Sequence, residues 1–267
     1  MNDKQLMRYA RHILLENYGV KQQKKIMNSN ILVVGLGGLG SSAVIYLASS
    51  GIGNMTLIDD DVVDISNLQR QILHNSKRVG QLKVDSARKT ILDLNPEVNV
   101  TTFHCRVNEE LLNNILDPID IVLDCSDNFE TRYLLNRMCF KFKKILVSGA
   151  AIRFSGQVSV YDLRDQNNPC YNCLFPSESV DLLENENCST TGVFAPLVGI
   201  VGSIQASEAM KILAGIGSDD DSLIGKLLRL NILDMTFKTS KFDKDNNCLV
   251  CRSNFFDCKQ IFVNCVY

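Results

Sequence analysis

The chain has 267 residues, 45% of them hydrophobic and 22% charged, with a formal net charge of −2. This is the composition of a globular protein rather than a disordered one, and Lys and Arg are spread without the basic block that nucleic-acid binding needs. Neither nucleic acid nor membrane is an expected partner: the opening MNDKQLMRYARH lacks the apolar core of a signal peptide, and the longest apolar region, Val193 to Ile204, reads as too short to cross a bilayer.

In chain order, the first ~28 residues read as an amphipathic helical arm, with Leu6, Tyr9, Ile13 and Leu14 on one stripe. Strands are expected at Ile31 to Val34, Met55 to Ile58, Val98 to Phe103, Ile119 to Leu123 and Ile145 to Val147, alternating with helices near 38–50, 80–94, 108–116 and 128–142. Such βαβ alternation specifies an α/β fold, a Rossmann-like, mostly parallel sheet with helices on both faces. From Gly156 the pattern changes. GQVSVYDL alternates as a strand, NNPCYNCLFP reads as a loop, Leu197 to Ala214 as a helix ending at Gly215, and Lys226 to Asp234 as a strand. This later part is expected to extend the sheet in antiparallel fashion. No linker divides the chain, so 1–267 is read as one domain: an arm at 1–28, a nucleotide-binding half at 29–155, a second half at 156–251 and a tail at 252–267.

The stretch VVGLGGLGSS places Gly35, Gly37 and Gly40 in G-x-G-x-x-G spacing between a strand and a helix. There the glycines permit a tight turn and the helix N-terminus presents unpaired N–H groups to a phosphate. Asp59 ends the next strand, about 20 residues on, where an acid accepts hydrogen bonds from ribose hydroxyls. The residues that follow favour a triphosphate over a nicotinamide. Arg70 in DISNLQRQ and Lys83 after VGQ supply cations, which phosphoryl chemistry needs as charge moves onto oxygen. LDCSDN then sets Asp124 at the end of an apolar strand and Asp127 in the turn after it. A carboxylate there suits Mg²⁺, although Asp127 could equally cap the helix that begins near Asn128.

Ten cysteines in a chain without an export signal point to a reducing cytoplasmic setting, where thiols serve more often as metal ligands or reactive groups than as disulfides. Cys170 with Cys173, and Cys248 with Cys251, form two C-x-x-C pairs that together could close a Cys₄ zinc site; redox dithiols are the alternative. Cys188 stands alone in the polar stretch NENCSTTGVFAP, ahead of a helix that Pro196 could open, where a thiol can be activated as a nucleophile or be a bystander. Cys125 and Cys139 read as core filler, and Cys105, Cys258 and Cys265 carry no assignment. His12, His74 and His104 belong to no Ser or Cys constellation and read as structural.

The ordered blocks GLGGLG, NLQRQ, VGQLKVDSAR, DCSDN, SGAAIR, GQVSVY, CYNCLFP and APLVGIVGSIQASEAMKILAG resemble the bacterial sulfur-carrier-protein adenylyltransferases, relatives of the ubiquitin-activating enzymes. The resemblance covers about residues 3 to 251. It implies an adenylation domain that uses ATP with Mg²⁺ and acts on a small ubiquitin-like protein ending in Gly-Gly. It also implies nucleotide contacts from Gly35, Gly37, Gly38, Gly40, Asp59, Asp61, Asn67, Arg70, Lys83, Asp127 and Asn128, with Asp59 on the ribose, Arg70 and Lys83 on the phosphates and Asp127 on Mg²⁺. Arg11 matches an arginine supplied to the neighbouring subunit's ATP, which implies a homodimer. Structural zinc on Cys170, Cys173, Cys248 and Cys251 follows from the same resemblance. NC-x-T-x-G around Cys188 is similar to the thiazole-branch members, where this cysteine is linked covalently to the carrier. The thiamine-thiazole branch is therefore the first expectation and activation of the molybdopterin synthase small subunit the second, with a cysteine desulfurase as an expected sulfur donor.

Adenylation needs no general base, because a free C-terminal carboxylate, with a pKa near ~3.5, is already ionised at neutral pH. Catalysis then rests on positioning and on cations matched to the transition state. Two other function classes fit parts of the pattern. An NAD-dependent oxidoreductase would use the glycine turn and Asp59 but lacks a hydride-site signature, and a zinc-bearing interaction protein would bind partners without ATP.

Overall fold

A computed structural model describes residues 1–177 and 192–252. The strands are β1 (Asn30–Val34), β2 (Asn54–Ile58), β3 (Asn99–Phe103), β4 (Ile121–Asp124), β5 (Ile145–Ile152), β6 (Ser155–Asp162), β7 (Lys226–Asn231) and β8 (Thr236–Lys241). They form one eight-stranded sheet in the order β3-β2-β1-β4-β5-β6-β7-β8. The first five pair in parallel and the remainder are antiparallel. Chain order reverses beside β1, with β2 on one side and β4 on the other, and Val34 is in register with both Ile58 and Asp124. The carboxyl ends of these three strands therefore open a crevice at the topological switch point, where ligands of open α/β sheets bind. Every residue of β4 is buried, as expected of a strand covered on both faces.

The helices of this part are α4 (Gly38–Ser49), α5 (Lys83–Leu94), α6 (Glu109–Ile115) and α7 (Phe129–Phe142), with α8 (Tyr171–Leu174) and α9 (Ala195–Ala214) following β6. Helix α9 stops at Gly215, which takes the left-handed conformation (φ 68°) that a glycine adopts without strain. It packs closely on α4: a side chain at Gly202 would meet the Leu39 carbonyl oxygen at 2.2 Å. Contrary to the expectation drawn from Val193 to Ile204, α9 has 20 residues and is long and apolar enough to cross a bilayer by length and composition. Half of it is instead buried inside the molecule. Its Leu197, Val198 and Val201 join the core that Val33, Ala43, Leu47 and Val147 build on the same face of the sheet.

Four elements depart from expectation, the first being α8, a single helical turn within NNPCYNCLFP, which reads as a loop. The N-terminal arm is three helices, α1 (Asp3–Arg8), α2 (Ala10–Ile13) and α3 (Gly19–Met27), interrupted at Tyr9 and again where Asn17 and Gly19 take positive φ. Of its proposed apolar stripe Tyr9 is buried while Leu6 and Leu14 are exposed. Tyr9 is held by Asn95, whose side-chain amide donates to its hydroxyl at 2.9 Å. Strand β7 ends at Asn231 rather than Asp234, in a turn where Met235 has φ 56°. Strand β8 carries no alternating pattern because all six of its residues are exposed. Cys188, Cys258 and Cys265, with most of the tail at 252–267, lie outside the described residues.

Candidate functional site

The crevice at the ends of β1, β2 and β4 is a cleft of about 410 Å³. Gly35, Gly37, Gly38, Asp59, Asp61, Asn67, Arg70, Lys83, Asp127 and Asn128 all line it. These residues come from five separate chain segments, which the fold brings to one wall. Gly40 does not line the cleft; its role is close packing, since a side chain there would meet the Gly35 carbonyl oxygen at 2.0 Å. Gly35 has φ +93°, which an L side chain rarely adopts. Gly38 meets Val198 of α9 on the side where a side chain would project. Helix α4 begins at Gly38 with no side-chain cap, so the N–H groups of its first turn are open to an anion.

Asp59 braces this turn. Its Oδ2 accepts the Leu36 N–H at 2.7 Å and its Oδ1 accepts the Asp61 N–H at 2.9 Å. Burial pushes the Asp59 carboxyl up, while Lys83 and these two N–H groups pull it back. Lys83, the first residue of α5, is buried, and its Nζ lies 2.6 Å from Asp61 Oδ2. Arg70 is steadied by Asn67, whose Oδ1 accepts from Nη2 at 3.1 Å. The helix cap in the DCSDN turn is Asn128, whose Oδ1 accepts the Thr131 N–H at 2.9 Å. Asp127 is thus relieved of capping, and its exposed carboxylate receives an Asn128 amide at 3.4 Å. Asp124, by contrast, is structural: fully buried, it accepts from the Ser126 and Ser148 hydroxyls at 2.6 and 2.7 Å.

Sequence reasoning missed Arg132 and Gln71. Arg132 is buried one turn into α7, donates from Nη2 to the Ser126 carbonyl at 3.0 Å and stacks its guanidinium 5.8 Å from the Phe129 ring centre. It lines both this cleft and a second one of about 590 Å³, which also shares Asp127, Asn128 and Ala151. The second cleft continues past Tyr171 and Phe175 to Arg229, Thr236 and Lys238 of the β7–β8 hairpin. The available signal was a charged residue at a position where α7 otherwise buries Leu135, Met138 and Cys139. Gln71 is buried beside Gly37 in the first cleft, and its Oε1 has no partner among the described residues. Arg11 is exposed on α2 and does not line the cleft of its own chain.

Cys170, Cys173, Cys248 and Cys251 have sulfurs within 4.8 Å of one another. The Cys170–Cys248, Cys170–Cys173 and Cys173–Cys251 separations are 3.6, 3.8 and 3.3 Å. Four thiolates about 2.3 Å from a tetrahedral zinc would stand about 3.8 Å apart, so the cluster can hold such an ion. N–H groups point at the sulfurs, from Asn136 to Cys170 at 3.6 Å and from Asn172 to Cys248 at 3.5 Å, as they do around metal-bound thiolates. Cys125 and Cys139 are buried in the core, where burial pushes both thiols up.

The ThiF family model matches residues 9–250. The chain is 42% identical over 254 residues to the molybdopterin-synthase adenylyltransferase of Escherichia coli, covering 94% of this chain and 98% of that protein. It is 44% identical over 248 residues to the SAMP-activating enzyme E1 of Haloferax volcanii, covering 92% and 89%. Against the adenylyltransferase and sulfurtransferase MOCS3 of Drosophila virilis identity is 43%, over 94% of this chain but 55% of that protein. Among solved structures, E. coli MccB with ATP shares the fold, with a TM-score of 0.79 at 22% identity over 94% of this chain and 75% of that one.

Proposed function

This chain belongs to the ThiF family, and we propose that it is an ATP-dependent adenylyltransferase that activates the C-terminal carboxylate of a small ubiquitin-like sulfur carrier ending in Gly-Gly. The relatives named above as molybdopterin-synthase and SAMP-activating enzymes favour the molybdopterin side over the thiazole branch, reversing the order suggested by the residues around Cys188. The observation that carries the reading is the convergence of Arg70, Lys83 and Asp127 on the glycine turn in one cleft.

In this reading Asp59 holds the ribose, as its place at the end of β2 suits, and the open N–H groups of the turn face the phosphates. Arg70 and Lys83 neutralise charge that grows as the carboxylate attacks the α-phosphorus and pyrophosphate departs. The exposed oxygens of Asp127 would hold Mg²⁺, which is commonly bound through one or two carboxylates, and the ion would supply positive charge against the phosphates. The carrier's tail lies in the second cleft, which meets the first at Asp127 and Arg132. Exposed Leu233, Met235 and Phe237 around the β7–β8 turn supply an apolar seat for its body. A closed Cys₄ set offers zinc no vacant position, so the ion's part is to tie the tail of the fold to the CYNC segment.

We infer a cytoplasmic homodimer served by a cysteine desulfurase or another donor of reduced sulfur. Met7, Leu14 and Leu15 are exposed on the N-terminal arm, as is Arg11 among them, which in such a dimer would complete a neighbour's cleft. The test is carrier-dependent ATP–pyrophosphate exchange, with the molybdopterin-synthase small subunit and the thiazole carrier offered in parallel. Exchange with the first supports the reading, exchange with the second alone moves the chain to the thiazole branch, and exchange with neither removes the proposed reaction.

A further inference from the structure

The glycine turn is held from beneath by a side chain that the adenylation reading leaves unused. His74 is buried, with Nε2 3.1 Å from the Leu36 carbonyl oxygen and Nδ1 2.9 Å from the Ser86 hydroxyl. A carbonyl only accepts, so Nε2 carries the proton and Nδ1 accepts from Ser86. Burial, with Lys83 and Arg78 close by, pushes this imidazole down to about 4, and it stays neutral in that tautomer at neutral pH. Leu36, between Gly35 and Gly37, is gripped on both sides: its N–H by Asp59 at 2.7 Å and its C=O by His74.

The Leu36 carbonyl and the Gly37 N–H belong to one trans peptide plane and point in opposite directions. With the carbonyl drawn into the core, the Gly37 N–H turns outward at a residue that lines the cleft, where it has no hydrogen-bond partner among the described residues. A side chain at Gly37 would meet nothing nearer than Gln71 Nε2 at 3.7 Å, so the space in front of this peptide is open. We propose that His74 is a positioning residue that locks the Leu36–Gly37 peptide and so aims the Gly37 N–H at the anionic end of the nucleotide. Ser86 fixes the tautomer that makes the lock possible. This inference rests on the reading of the cleft as an ATP site.

The test measures equilibrium binding of ATP and of adenosine to the full chain with Mg²⁺, for wild type, His74→Leu, His74→Gln and Ser86→Ala. Loss of one aimed donor to a charged acceptor should weaken ATP binding by about tenfold or more in His74→Leu. Adenosine, which lacks the anion, should change less than about threefold if only the aim is lost. His74→Gln, which retains an N–H donor, should recover part of the loss, and Ser86→Ala should show a smaller one in the same direction. Equal losses for ATP and adenosine, or unchanged ATP binding in His74→Leu, would overturn the assignment. If His74→Leu does not fold, Ser86→Ala carries the comparison, and an unaltered ATP-to-adenosine ratio there overturns it. Wild type that binds adenosine but not ATP would instead refute the ATP reading of the cleft, and this inference with it.

Discussion

Lys83 Nζ stands 2.6 Å from Asp61 Oδ2, joining a side chain that is 5% exposed to one that is 66% exposed. The pair is lopsided. The carboxylate at the rim is largely in water, whereas the buried cation needs a partner and can exchange that carboxylate for a phosphate oxygen. Lys83→Ala is therefore expected to cost exchange about 10²–10³-fold with little change in melting temperature, since it leaves behind only a solvated acid. Asp61→Asn strands a buried charge and should lower stability more than Lys83→Ala does. Thermal melts beside exchange assays read both, and the opposite ranking of stabilities would contradict the asymmetry.

Arg70→Ala and Asp127→Ala should each reduce carrier-dependent exchange by about 10²–10³-fold while the far-ultraviolet spectrum stays native. Asp127 is not the helix cap, so its removal costs no capping energy. Asn128→Ala, which loses that cap, should destabilise by about 1 kcal/mol. Near-normal exchange in either of the first two variants would remove that residue from the site.

Metal analysis of protein purified without chelators should find one zinc per chain, released on replacing Cys173 by Ser. Structural zinc binding is worth on the order of 10 kcal/mol, and a chain of this size loses roughly 2–4 °C per kcal/mol. Loss of the ion should thus lower the melting temperature by more than ~10 °C. A metal-free wild type with the same melting temperature would exclude a structural ion.

His74 gives stability an acid limb. Its folded value, pushed down to about 4 by burial, lies below the ordinary 6.5, so the unfolded chain binds the proton first as pH falls. The stability this preference supplies is complete above about pH 6.5 and is lost between there and about pH 4, amounting to roughly 3 kcal/mol at most. Urea midpoints from pH 7 to 4 should fall more steeply for wild type than for His74→Gln. Parallel curves would place the buried proton elsewhere.

Trapping with carrier and ATP distinguishes the two branches at Cys188. A sulfur-linked adduct on wild type that is absent from Cys188→Ser assigns the thiol to transfer, and identical behaviour of both proteins assigns it none.

The sequence determined the βαβ order, the glycine turn and the two C-x-x-C pairs, because each is a local pattern: a hydrophobic period, a spacing between glycines, a ligand spacing. It did not reveal the break in the N-terminal arm, which depends on backbone angles at Asn17 and Gly19, or β8, an exposed edge without alternation. Only the tertiary structure decided that Arg70, Lys83, Asp127 and Arg132 share a wall, that Asn128 rather than Asp127 caps α7, and that His74 reaches across to Leu36. Those relationships join residues far apart in the chain through the order of strands in the sheet, and no local periodicity encodes the distance between them. The four cysteines lie between: their types and spacing were legible, but the meeting of Cys170 with Cys248 required the fold to bring residues 78 apart to a sulfur separation of 3.6 Å.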